Sequence, residues 1–244
     1  MLGLGPGRCR LDRIPTVLIT RPQPQADRLA QDLAGQGIRT LVSPLMRTEF
    51  PAVVLPEGWF SALILTSEAG AQAVGQLRPG LPPRAFCVGE RTAAVARAKG
   101  LDAISLGNTA DQLLVALRTE TGPFLYLRGQ QVSADISAIL SARGQPAAEA
   151  VVYAQHPQNL TADARALLAR PGPVVLPLYS ARSAGLFLAA CPPDIRATLH
   201  PCLIAPAVLD ALPEPLKRQA VVADNPDGPA MQAAILRVIR SLVP

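Results

Sequence analysis

The chain has 244 residues, of which 49% are hydrophobic, so it can bury the core of one large domain or two small ones. Its net charge of +5 comes almost entirely from scattered arginines, and only 4% of its residues are aromatic, which argues against nucleic-acid binding. No apolar run reaches the roughly 18–20 residues of a membrane-spanning helix. The positive charge either favours an anionic ligand or reflects genome composition alone.

Residues 1–13 form a segment that contains glycine and arginine and lacks the apolar stretch of a signal peptide. We therefore predict a poorly ordered tail and a cytoplasmic protein. The four cysteines stand far apart without a CxxC pair, and the two histidines lie outside any metal-binding motif. These spacings predict reduced thiols and no metal site.

Short apolar runs alternate with helical patterns along the chain. The first predicted strand, Thr16–Thr20, is followed by Arg21-Pro22 and an amphipathic stretch that ends near Gly35. Further strands are predicted at Ala62–Leu65, Ala85–Val88, Ala103–Leu106, Phe124–Leu127, Val174–Leu178, Cys202–Ile204 and Ala220–Val222. Helices are predicted to begin near Ala69, Thr92, Ala110, Ser133, Ser183, Ala207 and Pro229. This alternation predicts an α/β fold with parallel sheets and helices on both faces.

The chain contains an internal repeat. Leu18-Ile19-Thr20-Arg21 and Leu125-Tyr126-Leu127-Arg128 are each followed by a glycine sixteen residues after the arginine. A second pair of stretches, Leu65-Thr66-Ser67 and Leu178-Tyr179-Ser180, is followed by similar turns at similar distances. The arginine unit comes first in one copy and last in the other, so one lobe is predicted to be discontinuous in sequence.

The predicted organisation is therefore two doubly wound, flavodoxin-like lobes joined by a two-stranded linker. Lobe 1 comprises residues 14–43 and 157–244, and the inserted lobe 2 comprises residues 51–149. Residues 44–50 and 150–156 carry the chain across and back. Two crossings between lobes are typical of a hinge with a cleft.

The candidate binding loops follow the predicted strands, where doubly wound sheets bind ligands. They are Thr66-Ser67, Gly89-Glu90-Arg91-Thr92, Arg128-Gly129 and Ser180-Ala181-Arg182-Ser183. Each places hydroxyls or backbone N–H groups at a helix start, which suits a carboxylate or a phosphate. Taken singly, each serine or threonine is better explained as a helix cap alone, whereas the set together favours anion binding.

Tyr153 lies in the predicted return crossing, where a phenol can donate a proton to a bound ligand. An ordinary strand tyrosine explains it as well. Glu90 and Asp111 are alternative acids, although carboxylates at helix starts are usually solvated. The sequence has no Walker A motif, no dinucleotide fingerprint after a strand and no GxSxG elbow.

Taken in order, these landmarks resemble the uroporphyrinogen-III synthase family. The matching stretches are Leu18-Ile19-Thr20-Arg21-Pro22, Leu65-Thr66-Ser67, Val88-Gly89-Glu90-Arg91-Thr92-Ala93, Leu127-Arg128-Gly129, Val152-Tyr153 and Tyr179-Ser180-Ala181-Arg182-Ser183. They cover nearly the whole chain after residue 13, and they are specific as an ordered set rather than one by one.

The resemblance implies a cytoplasmic, monomeric lyase that closes hydroxymethylbilane, a linear tetrapyrrole, without metal or organic cofactor. The terminal hydroxyl leaves as water and gives an azafulvenium-like electrophile. The terminal ring attacks through its substituted carbon to form a spiro intermediate, which recloses with that ring inverted. Uncatalysed closure gives the unrearranged type I isomer, so the enzyme must steer the reaction as well as accelerate it.

The resemblance also implies roles for individual residues. Tyr153 matches a tyrosine proposed to assist loss of the hydroxyl, and Thr92 matches a threonine at a helix start that faces the cleft. The implied substrate-binding residues are Arg21, Thr66, Ser67, Gly89, Thr92, Arg128, Gly129, Ser180 and Ser183.

One stretch departs from the family pattern. Where the family often has a Gly-x-x-Thr turn, this chain has Ala205-Pro206-Ala207-Val208, which lacks the hydroxyl and one backbone donor. Lobe 1 is therefore expected to bind substrate less tightly or through other contacts. This leaves open a non-catalytic paralogue that binds a tetrapyrrole or another anion. A signalling protein of response-regulator or flavodoxin type is a weaker alternative, since no acidic phosphorylation pocket is predicted near Thr20.

Overall fold

The computed structural model describes residues 14–77, 80–132 and 134–243. The predicted tail, residues 1–13, and Ser133 lie outside the described residues. The chain divides into two compact units, of which unit 1 comprises Met1–Arg47 and Pro157–Pro244, and unit 2 comprises Thr48–His156. In the described part of the chain, no helix has the length and apolar character needed to cross a membrane.

The strands are β1 (Thr16–Ile19), β2 (Arg39–Val42), β3 (Met46–Glu49), β4 (Ala62–Leu65), β5 (Arg84–Cys87), β6 (Asp102–Ser105), β7 (Phe124–Gly129), β8 (Ala147–Pro157), β9 (Gly172–Leu178), β10 (Ala197–Leu203) and β11 (Val221–Val222). The α-helices are α1 (Gln25–Ala34), α2 (Glu68–Leu77), α3 (Glu90–Ala98), α4 (Ala110–Ala116), α5 (Ile136–Ala142), α6 (Ala162–Leu168), α7 (Ala181–Ala190), α8 (Glu214–Lys217) and α9 (Gly228–Leu242). Short 3₁₀ helices cover Leu117–Thr119 and Pro206–Ala211.

The two sheets repeat one strand arrangement. The first sheet has the order β11-β10-β9-β1-β2, and the second has the corresponding order β6-β5-β4-β7-β8, with β3 added beyond β8. The pairings described within these five-strand sets are parallel. The prediction of an α/β fold with parallel sheets and alternating helices is therefore confirmed.

The two sheets share the same spatial arrangement of strands, but the order in which the chain forms those strands differs. Numbered along the chain, the sheet of unit 1 has the flavodoxin-like order 2-1-3-4-5, whereas the five-strand set of unit 2 reads 3-2-1-4-5. Both are common doubly wound orders, and each has a switch point where the direction of winding reverses. The switch points lie between β1 and β9 in unit 1 and between β4 and β7 in unit 2, which are equivalent positions.

Most predicted elements lie within two residues of the observed ones. Three elements were not predicted, the partly exposed strand β2 and the short helices α6 and α8. The prediction of an α-helix from Ala207 was wrong, because Pro206–Ala211 forms a 3₁₀ helix. Helix α5 begins at Ile136 because the Asp135 carboxylate caps it by accepting from the Ala138 N–H.

Alternate residues of the central strands supply two cores in unit 2. On β7, Leu125 and Leu127 pack into one core, whereas Phe124 and Tyr126 pack into the other. This alternation follows the period of two of a β-strand whose two faces are both covered by helices. Unit 1 likewise has two apolar clusters, one of which contains Leu18 and the other Val17 and Ile19.

In unit 2, a polar network joins strands β7 and β8 to helix α5. Arg128 donates from Nη2 to Glu149 Oε1 at 2.5 Å, and Ser137 donates to Glu149 Oε2 at 2.7 Å. The hydrogen bond from Arg128, followed by that from Ser137, holds the pKa of Glu149 below its ordinary value. The ionised carboxylate therefore ties β7, β8 and α5 together.

Glu149→Gln is expected to lower the melting temperature at pH 7, because the charged acceptor of both bonds is lost. A depressed folded-state pKa contributes stability above the unfolded value of about 4.3, and this contribution disappears as the pH falls through the folded value. The difference between the wild-type and variant melting temperatures should therefore shrink as the pH falls below about 4.3. Glu214→Gln is the matched control, since Glu214 makes only an exposed contact with Lys217 at 3.5 Å. A melting difference for Glu149→Gln that is equal at pH 3 and pH 7 would contradict this account.

Candidate functional site

A polar pocket opens at the switch point of unit 2, at the carboxyl ends of β4 and β7. Its volume is about 290 Å³. The lining residues are Thr66, Ser67, Val88, Asn108, Thr109, Ala110, Tyr126, Gly129, Gln131, Val132 and Tyr153. All of them belong to unit 2, and none carries a formal charge. Four of the predicted site residues, Thr66, Ser67, Gly129 and Tyr153, meet here.

A β-bulge directs Tyr153 to this pocket. Along β7 and β8 the register pairs Leu127 with Ala150 and Arg128 with Val151, and then shifts so that Gly129 pairs with Tyr153. The shift passes over Val152, so Val152 and Tyr153 both pack against the same apolar core. Bulges re-aim a side chain in this way, and they are rare between parallel strands.

Gly129 provides the space for the Tyr153 ring. A Cβ atom at this position would lie 2.5 Å from Cζ and 2.8 Å from Oη of Tyr153, well inside van der Waals contact. Any larger residue at position 129 would therefore have to displace the Tyr153 ring.

The hydrogen bonds of Ser67 fix the direction of the Tyr153 proton. Ser67 Oγ accepts from the backbone N–H of Gly70 at 3.1 Å, in the first turn of α2, and donates to Tyr153 Oη at 3.0 Å. Because the Tyr153 oxygen accepts this bond, the phenolic proton points elsewhere and is available to a bound molecule. Ser67 is thus both a helix cap and the partner of the tyrosine.

A second hydroxyl pair lies beside the first. Thr66 Oγ1 and Tyr126 Oη are 3.0 Å apart, and Tyr126 is only 3% exposed. Burial is the main cause that raises the pKa of Tyr126 above its ordinary value, and the nearby Tyr153 also raises it. Tyr126 therefore remains a neutral phenol at working pH.

The loop after β5 contributes less to the pocket than the sequence predicts. Val88 lines the pocket, but Gly89 and Thr92 do not. Gly89 caps α3 with a positive φ of 77° and donates its N–H to Gly107 O at 2.7 Å. Thr92 is buried in the first turn of α3. Glu90, one of the alternative acids, instead pairs with Arg97 at 2.6 Å.

Arg128 also lies outside the pocket lining. Its guanidinium bonds Glu149, and its Nη1 donates to the carbonyl of Gly129 at 3.0 Å. In the structure Arg128 therefore holds the strand end that carries Gly129.

The remaining predicted residues lie at the equivalent switch point of unit 1. The Arg21 guanidinium stacks over the Tyr179 ring, 3.7 Å from its centroid. Ser180 and Ser183 form a reciprocal capping box at the start of α7, in which each side chain accepts from the other residue's backbone N–H. The Ala205-Pro206 turn leads directly into the 3₁₀ helix.

Sequence reasoning did not select Tyr126, Asn108 or Gln131 as site residues. Tyr126 occupies an inward position of β7, where its ring packs in the core, and only its hydroxyl reaches the pocket. The sequence did contain one indication of Tyr126. A tyrosine three residues before the glycine at a strand end has a hydroxyl that needs a hydrogen-bond partner when the ring is buried.

The pocket therefore presents hydroxyl donors without charged side chains. The hydroxyl groups of such a lining can donate hydrogen bonds to carboxylates, and the lining adds no fixed positive charge to the pocket. Among the described residues, no group of three or more histidine, cysteine or acidic side chains is placed to hold a metal ion.

Gly129→Ala is expected to lower turnover more than tenfold, because the added methyl group must displace the Tyr153 ring. Overpacking of this kind costs about 1–3 kcal/mol, so a lower melting temperature is also expected. Gly185→Ala is the matched control, since a Cβ at this exposed position of α7 has no atom within 4 Å. It should leave turnover unchanged and stabilise the helix by about 0.5–1 kcal/mol. Normal turnover in the Gly129 variant would refute the close-approach argument.

Comparison with known proteins gives one family. The family profile described as "Uroporphyrinogen-III synthase HemD" matches residues 27–233. No curated protein sequence matches the chain at a significant level.

A solved structure of the same description shares the fold. The uroporphyrinogen-III synthetase from Helicobacter pylori is 19% identical with a TM-score of 0.61, over 92% of this chain and 99% of that one. A mutant uroporphyrinogen III synthase from Thermus thermophilus is 13% identical over 94% and 98% of the two chains, with a TM-score of 0.49. Because the family profile spans most of the sequence, this chain belongs to the uroporphyrinogen-III synthase family of carbon–oxygen lyases.

Proposed function

We propose that this chain closes hydroxymethylbilane to uroporphyrinogen III, with Tyr153 as the proton donor to the leaving hydroxyl. The family match over residues 27–233 is the main support for this activity. The hydrogen bond from Ser67 to Tyr153 supports the role of the tyrosine, because it leaves the phenolic proton free to be donated.

In the proposed reaction, Tyr153 donates one proton and recovers one proton at the end. Tyr153 gives its proton to the hydroxymethyl oxygen, the C–O bond breaks, and water leaves an azafulvenium cation beside the phenolate. The substituted carbon of the terminal ring attacks this cation, and the spiro intermediate fragments and recloses. The ring carbon that finally loses a proton returns it to the phenolate. General acid catalysis of this kind contributes about 10²–10⁴-fold to a rate.

The surroundings of Tyr153 suit this charge change. Ser67 donates to the oxygen that becomes negative, and its own oxygen is held by the Gly70 N–H at the start of α2. Donors that are already oriented stabilise developing charge without reorganisation. The lining lacks lysine and arginine, so the transient cation meets no fixed positive charge in the pocket.

Substrate binding is proposed for both switch points. In unit 2, Thr66, Ser67 and Gly129 line the pocket, and Gly89, Thr92 and Arg128 support its surrounding loops. In unit 1, Arg21 is a candidate for the side-chain carboxylates, with Ser180 and Ser183 at the start of α7. Charge-assisted bonds to arginine are among the stronger hydrogen bonds available for carboxylates.

The enzyme is proposed to act as a cytoplasmic monomer without nucleic-acid partners. The described cysteines, Cys87, Cys191 and Cys202, are free thiols, which fits a reducing compartment.

Purified protein supplied with hydroxymethylbilane is expected to form the type III isomer. Oxidation of the products to porphyrins and chromatographic separation of the isomers measures the outcome. Uncatalysed closure yields type I, so a reaction without protein provides the baseline. Type I alone in the presence of protein would refute the activity, and binding of the bilane without turnover would favour the non-catalytic paralogue.

Tyr153→Phe is expected to lower kcat about 10²–10⁴-fold while leaving the melting temperature nearly unchanged, because only the hydroxyl is removed. Ser67→Ala should lower kcat less and also cost about 1 kcal/mol of stability, since it removes the helix cap. Ser67→Thr keeps a hydroxyl and should recover most of the activity. Ser241→Ala is the matched control, because this serine bonds only the Val238 carbonyl near the end of α9. Near-normal kcat in Tyr153→Phe would return this residue to a structural role.

A further inference from the structure

The second hydroxyl pair of the pocket, Thr66 and Tyr126, is not used by the proton donation assigned to Tyr153. The two tyrosines approach the end of β4 from opposite faces of the sheet. Tyr126 packs in the core that contains Phe124 and Ile136, whereas Tyr153 packs against the core that contains Leu125 and Val152. Consecutive residues of one turn, Thr66 and Ser67, each meet one of the two phenols.

The relative acidity of the two hydroxyls gives the direction of the Thr66–Tyr126 bond. Tyr126 Oη and Thr66 Oγ1 are 3.0 Å apart, and on distance alone either could donate. A phenol is a stronger acid than an aliphatic hydroxyl and therefore the better donor, so the phenolic proton is assigned to the bond with Thr66. Since burial raises the pKa of Tyr126, the phenol keeps this proton at working pH. The Thr66 oxygen is then the acceptor, and its own proton is free.

Thr66 lines the pocket, so its free proton can point into the pocket. The pocket is thus offered two protons, one from Thr66 and one from Tyr153. In each case the hydroxyl oxygen accepts a hydrogen bond from another residue, which leaves its own proton for the pocket. A volume of about 290 Å³ is just below the roughly 300–1,000 Å³ typical of ligand pockets, so the pocket suits one ring of a tetrapyrrole rather than four.

We propose that Tyr126 is a positioning residue, which by donating to Thr66 directs the Thr66 hydroxyl proton at a side-chain carboxylate of the pyrrole ring bound in this pocket. The proposal rests on the proposed function for the identity of the ring. Thr66 is the residue that touches the ring, and Tyr126 acts through it. Tyr153 acts on the leaving hydroxyl of the same ring.

The proposal predicts a change in KM without a matching change in kcat. Thr66→Val removes the hydroxyl at similar shape and should raise KM about tenfold or more, because a bond to a carboxylate is lost. Tyr126→Phe leaves the Thr66 hydroxyl free to rotate and should raise KM about five- to tenfold, with kcat within about twofold. In the double variant, KM should equal that of Thr66→Val alone, since Tyr126 acts only through Thr66. Thr119→Val, a hydroxyl that bonds only the Ala116 carbonyl, is the matched control and should leave KM unchanged.

Stability separates a positioning role from a purely structural one. Thr66→Val leaves a buried phenol without an acceptor and should lower the melting temperature, whereas the double variant should recover most of this loss. A structural role would show this pattern in melting but no change in KM for Tyr126→Phe. An unchanged KM in Tyr126→Phe would overturn the proposal. So would a double variant whose rise in KM equals the product of the rises in Tyr126→Phe and Thr66→Val.

A second readout does not depend on turnover. Porphobilinogen, a single pyrrole that carries one acetate and one propionate, is the probe, and its Kd is measured by titration calorimetry or NMR. Wild-type protein and the control Thr119→Val should bind it similarly, and Tyr126→Phe should bind it about five- to tenfold more weakly. Equal Kd values for wild type and Tyr126→Phe would overturn the proposal even if the enzyme forms the type III isomer. If the wild type forms only type I, the proposed function fails, but weaker binding by Tyr126→Phe still supports the positioning role.

Discussion

The contact between Gly129 and the Tyr153 ring is the constraint on which the site depends. Two backbone features make it possible, the missing Cβ at Gly129 and the bulge that shifts β8 by one residue against β7. Without the shift, Val152 would face Gly129, and the tyrosine would point to the other side of the sheet. The hydrogen bond with Ser67 and the position of the phenol in the pocket both depend on this contact.

The orientation of protons in the pocket is fixed by buried partners rather than by charge. Ser67 accepts from the backbone of α2, and the Thr66 hydroxyl is bonded to a phenol whose ring lies in the core. Helix starts and sheet cores are rigid, so neither hydroxyl needs to be ordered when substrate binds. Charged groups close to the pocket, such as Arg128 and Glu149, are paired with each other and hold the framework. An uncharged lining of this kind allows a phenol to exchange a proton and a neighbouring carbon to become cationic within the same small volume.

The sequence predicted the architecture well because each level of pattern agreed with the next. Apolar strands, proline or polar residues after them and glycines past the helices predicted the α/β alternation. Strand β2 was missed because its residues are only partly buried, and α6 and α8 because they are short. The 3₁₀ helix after Ala205 departs from the expected α-helix at a proline-initiated turn. The predicted loops contained Thr66, Ser67, Gly129 and Tyr153, but sequence patterns do not report register shifts. The role of the bulge, the partner of each hydroxyl and the inclusion of Tyr126 were therefore accessible only from the structure.

The permuted strand order has a consequence for synthesis on the ribosome. Unit 2 is continuous, so all strands of its five-strand set are available as soon as β8 has emerged. In unit 1, β1 and β2 are made first, but their central neighbour β9 and the strands beyond it come last. At about 5–20 residues per second, the first βαβ segment waits on the order of ten seconds for its sheet partners. During that interval β1, with every residue buried in the finished unit, exposes an unpaired apolar edge, and the inserted unit that will carry Tyr153 folds while the older segment is still incomplete.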